Sequence, residues 1–296
     1  METTKEGNPK DLYPRPPFKK QTQEPPGETK KMDPRPDHGE YTYEGSGLLT
    51  GKVAIITGGD SGIGKAVAIA MAREGADIII CYKDDIEDED AKDTEEYVKQ
   101  AGREAILFKG DIRSEETCKK IIDIAVERYK KIDILINNAA YQMSYKNLQE
   151  ITAEEWNKTF EVNLSAMFYL TKYAQEHIRE GGSIINTTSV NAYDPNPTLL
   201  PYAASKAAIQ NFTSNLAQKF LEEGNGIRVN AVAPGPVWTP LIPSTIPDHE
   251  KFGDNTPIGR PGQPAEIAPV YVFLASAAAS YVSGATIPAT GGRITI

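Results

Sequence analysis

The chain has 296 residues, 40% of them hydrophobic and 25% charged, a balance that buries a sizeable core and excludes wholesale disorder. Its formal net charge of -9 argues against DNA or RNA as a partner, because affinity for a phosphate backbone comes from clustered Lys and Arg. Met1 to Lys10 lack the apolar centre of a signal peptide, and the longest mostly apolar stretch, Val270 to Val282, is too short to span a bilayer. The expectation is therefore a cytoplasmic chain with no membrane partner.

Residues 1–47 form a segment of their own, in which Pro9, Pro14, Pro16, Pro17, Pro25, Pro26, Pro34 and Pro36 alternate with charges and hardly any aliphatic residue. Such a segment is not expected to build a packed core. Tyr13, Phe18, Tyr41 and Tyr43 favour an arm laid across a surface over a flexible one. From Gly51 onward, short apolar runs alternate with longer helical periodicities, the pattern of a parallel sheet covered by helices. Strands are predicted over 53–57, 77–81, 105–109, 132–137, 183–188, 227–233 and 285–289. Helices are predicted over 62–73, 91–101, 114–129, 153–179 and 202–222, with a shorter one near 265–275. One repeated crossover logic makes residues 48–296 a single α/β domain with a doubly wound sheet and helices on both faces.

Cys81 and Cys118 read as small buried fillers, as expected in a reducing compartment. His38, His177 and His249 have no neighbours at ligand spacing, so no catalytic metal is expected. The first strand runs through Thr57 into Gly58-Gly59-Asp60-Ser61-Gly62-Ile63-Gly64 and then a helix. Those glycines fall where a backbone turns tightly and approaches a pyrophosphate, at a helix N-terminus with free N–H groups. By itself such spacing also marks ordinary turns.

The segments Thr57 to Gly64, Asn137-Asn138-Ala139-Ala140, Tyr202-Ala203-Ala204-Ser205-Lys206 and Pro234-Gly235 together resemble the short-chain dehydrogenase/reductase family, over about Leu48 to the C-terminus. The Pro-rich extension resembles that of the general-stress-protein-like bacterial oxidoreductases. The resemblance implies a Rossmann-type, seven-stranded sheet of order 3-2-1-4-5-6-7, a nicotinamide cofactor and a small-molecule carbonyl or alcohol substrate. It implies that Gly58, Asp60, Ser61, Gly62, Ile63 and Gly64 meet the cofactor's phosphates, and that Asp111 and Ile112 meet its adenine. Asn137, Asn138, Ala139 and Ala140 would line it after the fourth strand, with Pro234, Gly235, Val237 and Thr239 at its nicotinamide end. The choice between NAD(H) and NADP(H) falls to Tyr82 and Lys83 at the end of the second strand. Lys83 suits a 2′-phosphate and tilts the expectation slightly to NADP(H), while the acidic run Asp84 to Asp90 reads as a solvated helix start.

Tyr202 and Lys206 stand four residues apart at a helix start, so the ammonium lies one turn along the same face as the phenol. Bringing a phenol from its ordinary pKa of ~10 to neutrality takes about 4 kcal/mol. One cation at ~4 Å supplies about that much before desolvation is subtracted, and the charge of an oxidised nicotinamide adds to it. Ser189 would hold the substrate oxygen against the phenol, and Asn163 resembles the family residue that holds a relay water near the lysine. The short Tyr202 to Lys206 spacing resembles carbonyl- and alcohol-directed members rather than enoyl reductases. Segments 141–148, 190–200 and 238–260 are expected to build the substrate pocket, with Asn191, Tyr193, Leu199, Trp238 and Ile242 in it and Pro236 to Pro247 as a lid. A non-catalytic redox sensor and a nucleotide-sugar epimerase or dehydratase are the rival readings. The intact Tyr/Lys/Ser/Asn set argues against the first, and the short region after Gly292 against the second. The apolar long helices point to a homotetramer in which the arm wraps a neighbouring subunit.

Overall fold

Each predicted apolar run becomes one parallel strand in the computed structural model, which describes residues 7–293. The strands are β1 (Val53–Thr57), β2 (Asp77–Tyr82), β3 (Ala105–Lys109), β4 (Ile132–Asn137), β5 (Ile178–Thr187), β6 (Arg228–Pro234) and β7 (Thr286–Ala289). They form one seven-stranded sheet of order β3-β2-β1-β4-β5-β6-β7. Successive side chains on a strand face opposite ways, so parity sorts the core into two layers. Ala54, Ile56, Ile78, Ile80, Ile134 and Ile136 pack with helices α1 (Gly62–Arg73) and α8 (Pro264–Ala275), and with Val98 of α2 (Asp88–Gln100). Val53, Ile55, Ile79, Leu135 and Ile184 pack on the other face, against α3 (Glu115–Tyr129), α5 (Ala166–Ala174) and α6 (Leu200–Glu222). A sheet buried on both faces has no use for polar alternation, which is why its strands read as continuous apolar runs.

One predicted helix is altered. Residues 153–179 give α4 (Ala153–Phe160), a π-helical turn (Glu161–Ser165) and α5, and the helix stops at Ala174. The tail was lost to the sheet, because β-branched Ile178 pairs with Ile132 of β4 before a register shift brings Ser183 opposite Ile134. Helix α2 begins at Asp88, earlier than expected, because Asp84 and Glu87 close a capping box on a short 3-10 turn ahead of it. Helix α7 (Leu241–Thr245) lies in the segment read as a lid.

The N-terminal arm is laid across the protein surface, as its aromatics lead one to expect, and adds packing that its composition does not. Residues 1–6 lie outside the described residues, as do 294–296; from Gly7 to Gly47 the arm lies along its own chain. Arg260 is buried, donates from Nε (3.0 Å) and Nη2 (2.7 Å) to the Pro9 carbonyl, and stacks on the Tyr13 ring. Phe18 stacks on Trp238 with ring centroids 4.3 Å apart, and together with Met32 and Ile242 they form a small core of their own, which composition had argued against. Of the four aromatics expected to dock, Tyr41 remains 84% exposed. Further along, the guanidinium of Arg73 at the end of α1 donates to the carbonyls of Gly39, Glu40 and Tyr43. The neighbouring Glu74 carboxylate accepts from the Tyr43 hydroxyl (2.8 Å) and from the amides of Ser46 and Leu48 (both 2.9 Å). Glu74→Ala removes the shared acceptor of three part-buried donors and should cost about 1–3 kcal/mol of unfolding free energy in urea, whereas no measurable loss would mean the arm is held elsewhere.

Candidate active site

At the carboxyl ends of β1 and β4, where the winding of the sheet reverses, the strands part and a crevice opens. A cavity of about 590 Å³ fills it, a volume ordinary for a small-molecule site. On one side lies the turn leaving β1. Gly58 and Gly62 take φ of 61° and 51°, conformations that L side chains rarely adopt, and a Cβ on Gly64 would stand 1.8 Å from the Gly58 carbonyl oxygen. Only glycine lets α1 start this close to the strand. Ser61 makes no side-chain cap, so the first N–H groups of α1 are open toward the cavity and suit an anion. Burial, followed by the charge of Glu87, pushes the Asp60 carboxyl up to about 8; a carboxyl that keeps its proton does not repel a phosphate. These features fit a dinucleotide phosphate.

Across the cavity, Asn138 and Ala139 donate their backbone N–H groups to Thr57 Oγ1 (3.0 and 3.1 Å), and Asn138 Nδ2 donates to the carbonyls of Thr57 and Gly58. Ser189 follows β5. Its oxygen accepts from the Asn191 amide (3.1 Å) and from Asn191 Nδ2 (3.3 Å), which leaves its own proton for the Tyr202 phenol. Lys206 is buried, donates from Nζ to the Thr187 carbonyl (2.8 Å), and stands 5.3 Å from the centroid of the Tyr202 ring. Helix α6 thus carries both the tyrosine and the lysine, while the end of β5 supplies the serine and the carbonyl that receives the lysine. Burial pushes the Tyr202 phenol up to about 12 despite the Ser189 hydrogen bond, and burial brings the Lys206 amine down to about 7. The expected depression of the phenol by Lys206 is therefore not built into the protein alone.

The cavity wall carries Gly58, Asp60, Ser61, Gly62, Ile63, Tyr82, Lys83, Asp111, Ile112, Asn138, Ala139, Ala140, Pro234, Gly235, Val237 and Thr239, together with Ser189, Tyr202 and Lys206. Five of the expected residues lie off the wall. Gly64 packs against Gly58 and stays off the wall. Asn137 turns into the core, where its Nδ2 donates to Asn186 Oδ1 at 2.8 Å. Trp238 is fully buried under the arm and donates from Nε1 to the Pro34 carbonyl, and Tyr193 is likewise off the wall. Asn163 is also absent from the wall. It sits in the π turn with Oδ1 accepting from the Tyr141 amide (2.7 Å) and Nδ2 donating to the Tyr141 carbonyl and Ser205 Oγ (both 3.0 Å). Its side chain braces the loop after β4 against α6. Sequence reasoning missed Pro25 and Pro26, which line the cavity from the arm, and Arg293 near the C-terminus. No periodicity or motif marks a proline as a wall residue.

Residues 58–293 match the family model described as Enoyl-(Acyl carrier protein) reductase. The chain is 48% identical to General stress protein 39 of Bacillus subtilis over 270 residues, 90% of this chain and 93% of that protein. The chain belongs to the short-chain dehydrogenase/reductase family. It is 44% identical over 285 residues to the Glucose and ribitol dehydrogenase of Daucus carota, covering 94% of this chain and 97% of that protein. That match spans more of the chain than residues 48–296 supply, so part of the arm is common to both. Among solved structures it resembles a short chain dehydrogenase from Burkholderia cenocepacia J2315 in complex with NADP, with a TM-score of 0.77 and 30% identity over 83% of this chain and 98% of that one. This short-chain dehydrogenase/reductase shares the fold and the oxidoreductase class with these proteins.

The buried lysine carries a stability signature. Lys206 is largely uncharged in the fold at pH well above 7 but charged when unfolded up to its ordinary 10.5, so the unfolded chain binds the extra proton between those limits. Wild-type stability should then rise with pH across that window by up to about 1.4 kcal/mol per pH unit. Lys206→Met removes the slope, so its stability advantage shrinks from pH 7 to pH 10 in urea titrations; parallel pH profiles would show that the amine is charged in the fold.

Proposed function

We propose that this chain is a reductase or dehydrogenase that moves a hydride between NAD(P)(H) and a carbonyl/alcohol pair, acting on CH–OH and C=O groups. The observation that carries the reading is the Tyr202 phenol, bonded to Ser189 and set beside the Lys206 amine on the wall of one crevice. Bound nicotinamide would supply or accept the hydride. Ser189 fixes the substrate oxygen, Tyr202 protonates it in reduction or takes its proton in oxidation, and Lys206 orients and charges that corner of the site. The π turn of Asn163 supports a water relay toward Lys206. Gly58 to Ile63 receive the phosphates, Asp111 and Ile112 the adenine, and Val237 and Thr239 the nicotinamide amide. Lys83, on the cavity wall with its ammonium 3.2 Å from Asp84, keeps the preference slightly toward NADP(H), in keeping with the NADP bound by the Burkholderia dehydrogenase.

On the substrate side, Gln142 Nε2 donates to Thr245 Oγ1 (2.9 Å), and Asn191, Asn196, Asp248 and Asn255 line the same wall. Such a polar rim suits a polyhydroxy aldehyde or alcohol, in line with the name of the carrot relative. The family model's description favours enoyl reduction as a second reading, against which stands the four-residue Tyr202 to Lys206 spacing. We place the enzyme in the cytoplasm as a homotetramer. The groove on α5 and α6 lined by Leu164, Phe168, Tyr169 and Phe212, with Phe168 49% exposed, supports the assembly. A monomer mass in light scattering would overturn it.

Oxidation of NADPH and NADH, followed by nicotinamide absorbance across small aldehydes, diketones, sugars and an enoyl thioester, tests the reading directly. We expect turnover with aldehydes or sugars and a loss of about 10²–10⁴-fold in kcat in Tyr202→Phe, with the dinucleotide still bound. Turnover confined to the enoyl thioester would favour the second reading, and binding without turnover would favour a sensor.

A further inference from the structure

The lid segment after β6 does not rest its apolar side on the sheet. Trp238 and Ile242 pack with Phe18 and Met32 of the arm, and Ile246 and Phe252 join them at the edge, in a cluster separate from both layers of the main core. Polar contacts follow the same path. The Phe18 amide donates to the Glu250 carbonyl (2.7 Å), the Gln21 amide to His249 Nε2 (3.0 Å) and the Gln23 amide to the Pro243 carbonyl (3.1 Å), while Ser244 Oγ donates to the Pro26 carbonyl (3.3 Å). Lid and arm are therefore one body.

That body crosses the crevice. At Gly27 (φ +82°) the backbone touches Pro240 so closely that a Cβ would lie 2.5 Å from its carbonyl oxygen. Two residues on, the Thr29 amide donates to Asp90 Oδ2 (3.0 Å) of α2, and Lys30 is paired with Glu89. Between these footholds lies the turn Asp60 to Gly62: Thr239 beside Pro240 is in contact range of Gly62, and Thr94 of α2 donates to the Asp60 carbonyl (2.8 Å). The span from Pro25 to Thr29 thus passes over the helix N-terminus that suits a phosphate, and Pro25 and Pro26 form part of the cavity wall there. Here Pro25 and Pro26 sit in a turn closed by the Gly27 amide on the Glu24 carbonyl (2.9 Å), a shape that proline holds with little entropy to lose.

We propose that the N-terminal arm is a component of the cofactor site, a strap across the pyrophosphate end of the crevice that traps the dinucleotide and lifts only together with the lid. This rests on the nicotinamide reading above. Because the strap binds on the far side of the ligand from α1, it acts on release more than on the chemistry at Tyr202. The arm then sets how long a cofactor stays between turnovers.

The test uses the full-length protein and two substitutions that disturb the strap differently. Phe18→Ala removes the stack on Trp238, and Gly27→Ala keeps every side-chain contact but drives a methyl group into Pro240. In a Trp156→Phe background Trp238 is the sole tryptophan, so its emission without cofactor reports whether the arm has lifted. We expect red-shifted Trp238 emission and dissociation of NADPH at least about tenfold faster in stopped flow in both variants, with circular dichroism of the wild-type shape. Unchanged release of a bound dinucleotide in both variants overturns the strap alone. A wild type that binds neither NADPH nor NADH overturns it together with the reading it rests on.

Discussion

The ends of β1 and β4 are tied by Thr57 and Asn138, and the rest of the site hangs from that knot. Thr57 Oγ1 accepts two backbone N–H groups from the loop after β4, and the Asn138 amide holds the first carbonyls of the glycine turn. On its other side Asn138 Oδ1 accepts from Thr187 Oγ1 at 3.4 Å; that hydroxyl also meets the Tyr271 hydroxyl at 2.7 Å, and the Thr187 carbonyl takes the Lys206 ammonium. A continuous polar path therefore runs from the phosphate turn, across two strand ends, to the lysine. Each group along it is buried or part-buried and bonded to the next, so several hydrogen bonds together fix the relative placement of turn and amine.

The arm is held by a different device. Ordering some forty residues rich in proline costs less than ordering a generic loop, since proline has already lost its φ freedom in the unfolded chain. The remaining cost is met at three places: the Arg260 contacts with Pro9 and Tyr13, the Phe18 and Trp238 stack, and the end of α1. Between the last two runs a buried polar cluster in which His38 Nδ1 meets Glu40 Oε1 (3.0 Å), Glu40 lies 3.6 Å from Lys65 Nζ, and Lys65 pairs with Asp93. Burying the whole Lys65 side chain calls for acidic partners, and one of them, Glu40, comes from the arm, so α1 is adapted to the presence of the arm.

Strand positions were legible from the sequence because both faces of the sheet are buried, and an apolar run bounded by glycine admits few other readings. The glycine turn and the Tyr202 to Lys206 pair were legible because their chemistry fixes spacing along the chain. What stayed hidden depends on partners distant in sequence. Trp238 reads as a pocket residue until Phe18 is seen upon it, and Asn137 and Asn138 are equivalent on paper although one faces Asn186 in the core and the other the cavity. Asn163 was singled out by its resemblance to a relay-water residue, and its side chain turns instead to Tyr141 and Ser205. Composition alone misjudged the arm, since one phenylalanine and one methionine suffice when the surface beneath already presents a tryptophan and an isoleucine.

On the proposed chemistry, the electrostatics of the protein alone leave part of the work to the cofactor. With its phenol near 12, Tyr202 holds a proton ready to donate, as reduction of a carbonyl requires. Oxidation asks the same group to accept a proton at neutral pH, which means stabilising the phenolate by about 7 kcal/mol relative to that starting point. A single cation at ~4 Å supplies about 4 kcal/mol at an effective dielectric near 20, and an amine near 7 is charged only about half the time. The shortfall is of the size a second positive charge would fill, and in the oxidative direction the cofactor enters carrying one. Lys206 and an oxidised nicotinamide also oppose each other's charge, so the amine gives up part of its own effect as the cofactor binds. Reduction meets the same demand in reverse, because donating the proton leaves a phenolate beside a ring that has just become oxidised and positive, so the same two charges serve both directions.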